Sequence, residues 1–392
     1  MNFKNRVWAA INLDAIDENI KTIKSFAKTA KLIAIIKADG YGHGAVELGR
    51  HLEENGIDFF GVSSSREAME LRLGGIKGKI LILGYTHPAE AELLVDNNIS
   101  QAVYSEEYAK SLIEVLKGSG KKLNVHIKLN TGMNRIGFDC CGNDPTEQIA
   151  EILNEDVFSF EGLFTHFATA DKDGDPDDEN TNNQYNRFLN IADSLAKIGY
   201  TPKMKHCCNS AGTLLQTDKH LDAVRTGIIM YGFTPSANLT LPCKLKPAIS
   251  FKTVVSMVHT LKKGEGVSYG LTFTAQKDMK IATVSVGYAD GYPRFMSRKG
   301  EVLIGGKRCK ILGNVCMDQM IVDITDTENV AIGDEVTLFG EQNGNSISAE
   351  EIAKIGNTIN YEIICGISRR VPRYYIKNGK QITVSDYLIK EN

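Results

Sequence analysis

The stretch IIKADGYGHGA, residues 35–45, sets a lysine at the end of an apolar run and three glycines directly after it. Two chemistries suit that arrangement. Gly40, Gly42 and Ala45 fit the G-x-G-x-x-A fingerprint of a dinucleotide-binding turn. That fold also needs an acidic residue after the next strand, about 20 residues on, to hold the ribose. Asp58 has the distance but precedes the apolar run Phe59–Val62, at the wrong end of it, and Tyr41 and His43 would crowd a pyrophosphate. The nicotinamide reading is therefore disfavoured. The second chemistry centres on Lys37. An amine held partly desolvated at a strand end titrates below a free one and condenses with an aldehyde cofactor. A lysine that only snorkels from a strand end remains the alternative at this point.

Around Lys37 the sequence alternates short apolar runs with amphipathic stretches. The runs are Leu32–Lys37, Phe59–Val62, Ile80–Leu83, Gln101–Tyr104, Leu123–Leu129, Phe160–Thr165, Met204–Cys208 and Leu221–Arg225. Between them, segments such as Ala45 to Glu54, Glu67 to Leu73 and Glu106 to Leu116 carry apolar residues three or four apart. Runs without alternation suit parallel strands buried on both faces. Eight such units close a TIM-type βα barrel, which sets active sites at the C-terminal rim of its strands. An open doubly wound sheet is the competitor, though it usually stops at about five to seven strands.

After Pro242 and Pro247 the texture changes. MKIATVSV, EVLIGG, KRCKILG, QMIVDIT and DEVTLFG are short, β-branched and separated by Gly or Asp. One clear helix is expected there, Ala349 to Ile355. The expected fold class is α/β: an eight-stranded barrel over residues 1–242, then a β-rich domain over 243–392. The polar, acidic stretch DKDGDPDDENTNN between His166 and Gln184 reads as an exposed loop.

Several function classes are excluded or disfavoured. Apolar residues make up 42% and charged residues 24% of the 392, with a net charge of −3, so nothing favours nucleic acid or an anionic membrane. No apolar run approaches the ~20 residues of a membrane span. The N-terminus turns acidic where a signal peptide would carry its apolar core, so no leader is expected. The eight cysteines include the adjacent pairs Cys140/Cys141 and Cys207/Cys208, and no CxxC or HExxH spacing suggests a metal. Reduced thiols in a cytoplasmic protein are the expectation.

The motifs KADGYGHG (37–44), NTGMNRIGF (130–138), THFATAD (165–171), NSAG (209–212), RTGIIMYG (225–232), VSYG (267–270), VGYADGYPR (286–294), GNVCMDQ (313–319) and RVPR (370–373) stand in this order along the chain. Together they closely resemble the alanine racemase family, and the resemblance covers essentially the whole chain. It implies a βα barrel with a β domain, pyridoxal 5'-phosphate as cofactor, and a homodimer whose active site is shared between subunits. Lys37 resembles the lysine that carries the cofactor and acts as one acid/base. Tyr269, in VSYG, resembles the opposing base, contributed by the second subunit. Tyr41, Ser210, Gly227, Ile228 and Tyr361 match positions that hold the cofactor phosphate. Arg225 matches the residue facing the pyridine nitrogen, supported by His166. Arg135 matches a residue near the cofactor's phenolic oxygen and the substrate carboxylate, and Met317 one whose backbone helps bind that carboxylate. Tyr288 and Asp318 resemble residues lining the mouth of the site. Lys128 resembles a lysine carbamylated in many members, where the carbamate orients Arg135.

These roles make physical sense. Ser210 and Gly227 follow the seventh and eighth runs, where barrels commonly hold phosphate with free backbone N–H groups. Inverting an α-carbon means removing a proton from one face and returning one to the other, so two groups on opposite sides are expected. Free lysine and tyrosine titrate near about 10.4 and about 10, so both need tuning, and a His166–Arg225 pair would supply positive potential. A guanidinium does not give its proton to the pyridine nitrogen, so the ring stays a weaker electron sink, which suits racemisation over transamination. Ala10 and Asn12 stand where members often carry acids, and Cys207/Cys208 where small residues are commoner; neither touches the chemistry. The expected function is interconversion of L- and D-alanine, supplying D-alanine for peptidoglycan. A serine or broad-specificity racemase is the alternative, because one hydroxyl is weakly discriminated by an apolar pocket. A non-catalytic pyridoxal-phosphate carrier is a further one, disfavoured by the domain bearing VSYG and CMDQ.

Overall fold

The structure is a computed structural model, and it describes residues 6–172, 178–237 and 239–389. The chain forms two compact units. The first comprises Asp17–Gly40 and Ala45–Leu245; the second takes the described residues up to Ile16, then Tyr41–Gly44, and those from Lys246 onward.

In chain order the first ten strands are β1 (Val7–Asn12), β2 (Lys31–Ile35), β3 (Phe59–Val62), β4 (Lys79–Ile82), β5 (Ile99–Val103), β6 (Leu123–Asn130), β7 (Phe138–Asp139), β8 (Phe158–Phe164), β9 (Met204–His206) and β10 (Ala223–Thr226). The first unit is built on β2 to β10. Its strands follow the order β5-β4-β3-β2-β10-β9-β8-β6, and β5 pairs with β6 to close the ring. Every one of these pairings is parallel. The expected eight-stranded barrel is present, with the two-residue β7 added beside β6. Residues of β3, β5 and β10 are all buried, since each strand has side chains packed on both faces.

The helices start where side-chain caps satisfy their first free amides. Ser64 accepts from the Glu67 amide, so that helix opens at Ser65, two residues before the expected start. Ser105 and Asn209 cap Glu106–Leu116 and Ser210–Leu215 in the same way. The acidic stretch after His166 is only partly the expected loop. A helix spans Glu179–Lys197, capped by the Asp178 side chain, because Thr181, Gln184 and Phe188 recur on one buried face. Residues 173–177 of that stretch lie outside the described residues.

The second unit centres on β11 (Ile249–Leu261) in a ten-stranded sheet. β1 belongs to this sheet, antiparallel to β11 and parallel to Arg373–Lys377. Val7, Ala9 and Ile11 are buried while their alternates face outward, the period-two pattern of a half-covered strand. The expected helix is Ala349–Gly356, and a second short one, Asn360–Cys365, carries Tyr361. Arg373 is fully buried and donates Nε to the Gly42 carbonyl at 3.1 Å, while the Tyr375 hydroxyl donates to the His43 carbonyl at 2.9 Å. Among the described residues no helix is long and apolar enough to cross a membrane.

Candidate active site

Lys37 lies two residues beyond β2, at the C-terminal rim of the barrel. The backbone then turns left-handed at Ala38 (φ 51°), Asp39 (φ 56°) and Gly40 (φ 61°), and Tyr41 and Gly42 continue it. Left-handed L-residues cost about 1 kcal/mol or more each, so such a run persists only where neighbours enforce it. Here the Glu67 carboxylate accepts from the Ala38 amide at 2.7 Å, and Asp39 accepts from the Ala45 amide at 3.0 Å. The result is a half-buried lysine on a fixed turn.

Arg225, on β10, is buried and held on every side. Its Nη2 donates to the carbonyls of Thr165 (2.8 Å) and Cys207 (2.9 Å) and to His166 Nδ1 (3.2 Å). Its Nη1 donates to the carbonyl of His206 (3.2 Å) and to His206 Nδ1 (2.7 Å). Burial lowers its pKa to about 10, so it remains a cation at neutral pH. His166 is pushed well below the usual imidazole range, first by burial and then by Arg225, Arg135, Lys128 and Lys37. Five of the expected residues therefore share one electrostatic neighbourhood.

Lys128 is buried, with Nζ donating to the Leu129 carbonyl at 2.6 Å and lying 5.6 Å from the Phe164 ring. Burial, then Arg225 and Arg135, lower its pKa to about 7. Arg135 itself is exposed on the loop between β6 and β7. On the loops after β9 and β10, Ser210 Oγ accepts from the Gly227 amide at 3.0 Å. Ser210 opens one helix and Gly227 precedes the 3-10 turn Ile228–Tyr231, so the bond brings two helix starts side by side.

The second unit carries the remaining residues. Tyr41 and Tyr361 have ring centroids 5.9 Å apart. Tyr269 is held through its backbone: its carbonyl accepts from Asn314 Nδ2 at 2.8 Å, while Ser268 Oγ donates to the Asn314 carbonyl at 2.7 Å. The Tyr288 amide donates to the Cys316 carbonyl and the Ala289 amide to that of Met317. Gly287 permits this approach, since a Cβ there would lie 2.2 Å from the Cys316 carbonyl oxygen. Asp318 pairs with Arg370, which also reaches the buried Asp290; Arg6 joins the same carboxylate. Tyr269, Tyr288, Met317 and Asp318 are thus gathered around residues 314–318.

Sequence reasoning assigned nothing to Asp290, Arg370, His206, His126 or Glu161. Asp290 and Arg370 sit inside the motifs VGYADGYPR and RVPR, which is the only signal the sequence carries for them. The residues present fit pyridoxal phosphate: Lys37 offers an amine, the Ser210–Gly227 loops offer N–H and hydroxyl groups to a phosphate, and Arg225 offers a fixed cation to a ring nitrogen.

A closed parallel barrel with a lysine at the C-terminal rim and a buried arginine beside it has the layout of a barrel enzyme. The family model for the alanine racemase N-terminal domain matches residues 11–235, and that for its C-terminal domain residues 248–375. An alanine racemase of Symbiobacterium thermophilum is 43% identical over 94% of this chain and 96% of its own. The structure of an alanine racemase of Clostridium difficile 630 superposes with a TM-score of 0.92, at 39% identity, over 99% of this chain and 100% of that one. A histidine racemase of Leuconostoc mesenteroides subsp. sake reaches a TM-score of 0.87 at 30% identity, over 96% of this chain and 99% of that one. The chain belongs to the alanine racemase family, and it is a pyridoxal-phosphate-dependent amino-acid racemase.

Proposed function

We propose that this chain interconverts L- and D-alanine using two acid/base groups: Lys37 of its own barrel and Tyr269 of a second copy. The supporting observation is the setting of Arg225, a buried cation ringed by carbonyls and neutral imidazoles beside Lys37 and His166. Pyridoxal phosphate, when bound, supplies the ring that draws electrons from the substrate α-carbon. Arg225 donates and cannot accept or release a proton, so it limits that withdrawal and favours prompt return of the proton.

Lys37 Nζ serves one face of the α-carbon, and Tyr269 Oη the other. Tyr269 is 76% exposed, as a residue serving another subunit's site must be in a single chain. Ser210, Gly227 and Ile228, with Tyr41 and Tyr361, hold the phosphate. Arg135 and the Met317 backbone orient the substrate carboxylate, and a carbamate on Lys128 orients Arg135. Tyr288 and Asp318 line the mouth of the site. The product feeds peptidoglycan, and the working place is the cytoplasm.

The histidine racemase neighbour favours a second reading, a different amino-acid substrate on the same fold. The test is incubation in heavy water with L-alanine, L-serine or L-histidine, with and without pyridoxal phosphate. Cofactor-dependent D-alanine carrying solvent deuterium, formed faster than the other D-amino acids, supports the proposal. No D-alanine from protein with cofactor bound overturns it, and a faster D-serine or D-histidine arm replaces the substrate.

A further inference from the structure

A buried file of side chains runs away from Arg225 through the barrel. His206 Nδ1 accepts from Arg225 Nη1 at 2.7 Å, and His206 Nε2 lies 3.0 Å from His126 Nδ1. His126 Nε2 lies 3.3 Å from Glu161 Oε2. Glu161 in turn accepts from Ser100 Oγ at 2.5 Å and pairs with Lys79 Nζ at 2.5 Å. Neither β4 nor β5 is a neighbour of β8 in the sheet, so these last contacts cross the barrel interior. The file reaches water at Lys79, which is 55% exposed.

The chemistry of the groups fixes its direction. A guanidinium only donates, so His206 Nδ1 is bare and the ring's proton sits on Nε2. That proton faces His126 Nδ1, which puts the His126 proton on its own Nε2, facing Glu161. An ionised carboxylate only accepts, which makes it a suitable terminus. Both rings are fully buried, and burial is the chief reason each titrates below the usual range. His206 faces Arg225, His126 and Lys128; His126 faces Glu161, Lys79 and Arg225.

The backbone is shaped around this file. Pairing between β6 and β8 slips from Val125↔Phe160 to His126↔Gly162, leaving Glu161 as the extra residue of a bulge. A Cβ on Gly162 would lie 2.0 Å from His126 Nδ1, so only glycine leaves room for the ring. Phe164 stacks on His206 with centroids 4.9 Å apart.

We propose that Glu161 is a positioning residue for the active site: through the tautomers of His126 and His206 it keeps a lone pair against Arg225 and holds the guanidinium in place. The inference rests on Arg225 facing the cofactor, but the tautomers are readable whether or not that assignment holds. Without the carboxylate, His126 can carry its proton on Nδ1, where it meets the His206 Nε2 proton across 3.0 Å; moving the His206 proton to Nδ1 relieves that clash and sets donor against donor at Arg225.

The test is nitrogen NMR of the holoenzyme labelled at histidine, across about pH 5 to 8, where free imidazole titrates. The expected result is protonated Nε2 and bare Nδ1 on both His126 and His206 throughout. Glu161→Met is expected to give mixed tautomers at His206 and to lower kcat on the order of tenfold, with KM within about twofold. Glu161→Gln keeps a carbonyl acceptor and is expected to restore both the tautomers and most of kcat. A wild-type His206 protonated on Nδ1, or on both nitrogens, overturns the proposal even if Glu161→Met does not fold. A folded Glu161→Met with unchanged His206 signals or unchanged kcat overturns it too. If the protein racemises no alanine at all, the substrate assignment fails, while the nitrogen signals still judge the file.

Discussion

Arg225 Nη2 donates to His166 Nδ1 across 3.2 Å, which obliges the imidazole to be neutral with its proton on Nε2. His166 and His206 both titrate well below a free imidazole, and His126 and His220 are lowered as well, burial leading in each case. The consequence for stability has a definite sign. Below about pH 6.5 the unfolded chain binds protons that these folded rings refuse, so stability falls as pH falls through that value. His166 and His206, the two pushed furthest, are each expected to cost about 1 kcal/mol per pH unit there. Denaturant unfolding at about pH 7.5 and about pH 5.5 measures it, and equal midpoints would contradict the assignment.

The bond from the Gly227 amide to Ser210 Oγ ties together the two loops proposed to hold the phosphate. Ser210→Ala removes that acceptor and one hydroxyl of the proposed phosphate site. Cofactor affinity is expected to fall about tenfold, the worth of one such bond. Absorbance titration of the apoprotein with pyridoxal phosphate reads this directly. Activity at saturating cofactor is expected to stay near wild type; a collapse that added cofactor does not repair points to a different role.

Lys37 and Tyr269 make a prediction about pairs of chains. Each alanine variant alone is expected to lose at least about a hundredfold in kcat. After subunit exchange, half of the dimers are mixed and each mixed dimer has one intact site, so about a quarter of the sites recover. Mass spectrometry confirms the exchange. Proven exchange without recovered activity would place Tyr269 outside the partner's site.

Lys128 has a pKa lowered to about 7, so its amine is largely neutral just above that pH and able to add carbon dioxide. In labelled bicarbonate a carbamate carbon signal is expected to grow between about pH 6 and pH 8. Lys128→Arg, whose guanidinium stays protonated and cannot add carbon dioxide, should abolish it. A signal that survives the substitution belongs to another amine.

The barrel was legible because its strands are covered on both faces: Phe59–Val62 reads as an unbroken apolar run and forms that strand to the residue. Ala45–Glu54 and Glu106–Leu116 were legible through their periodicity. The place of Val7–Asn12 was not, because its partner Ile249–Leu261 lies far along the chain and alternation does not say which sheet a strand joins. Likewise Asp178 reads as part of a polar loop until its side chain is seen capping Thr181. Lys37 and its glycines stood out as chemistry from the start. His126 and Glu161 did not, since their meaning lies in a bulge and a missing Cβ at Gly162, neither of which leaves a periodic trace.

The turn behind Lys37 carries one more consequence. Ala38 sits at φ 51°, ψ 48°, the mirror image of the region an L-residue prefers. A D-alanine placed there by chemical ligation would adopt that geometry at rest. The substitution is expected to stabilise the turn by about 1 kcal/mol with no side-chain atom added or removed. The lysine at the centre of this site thus stands on a short piece of backbone whose handedness matches D-alanine better than L-alanine.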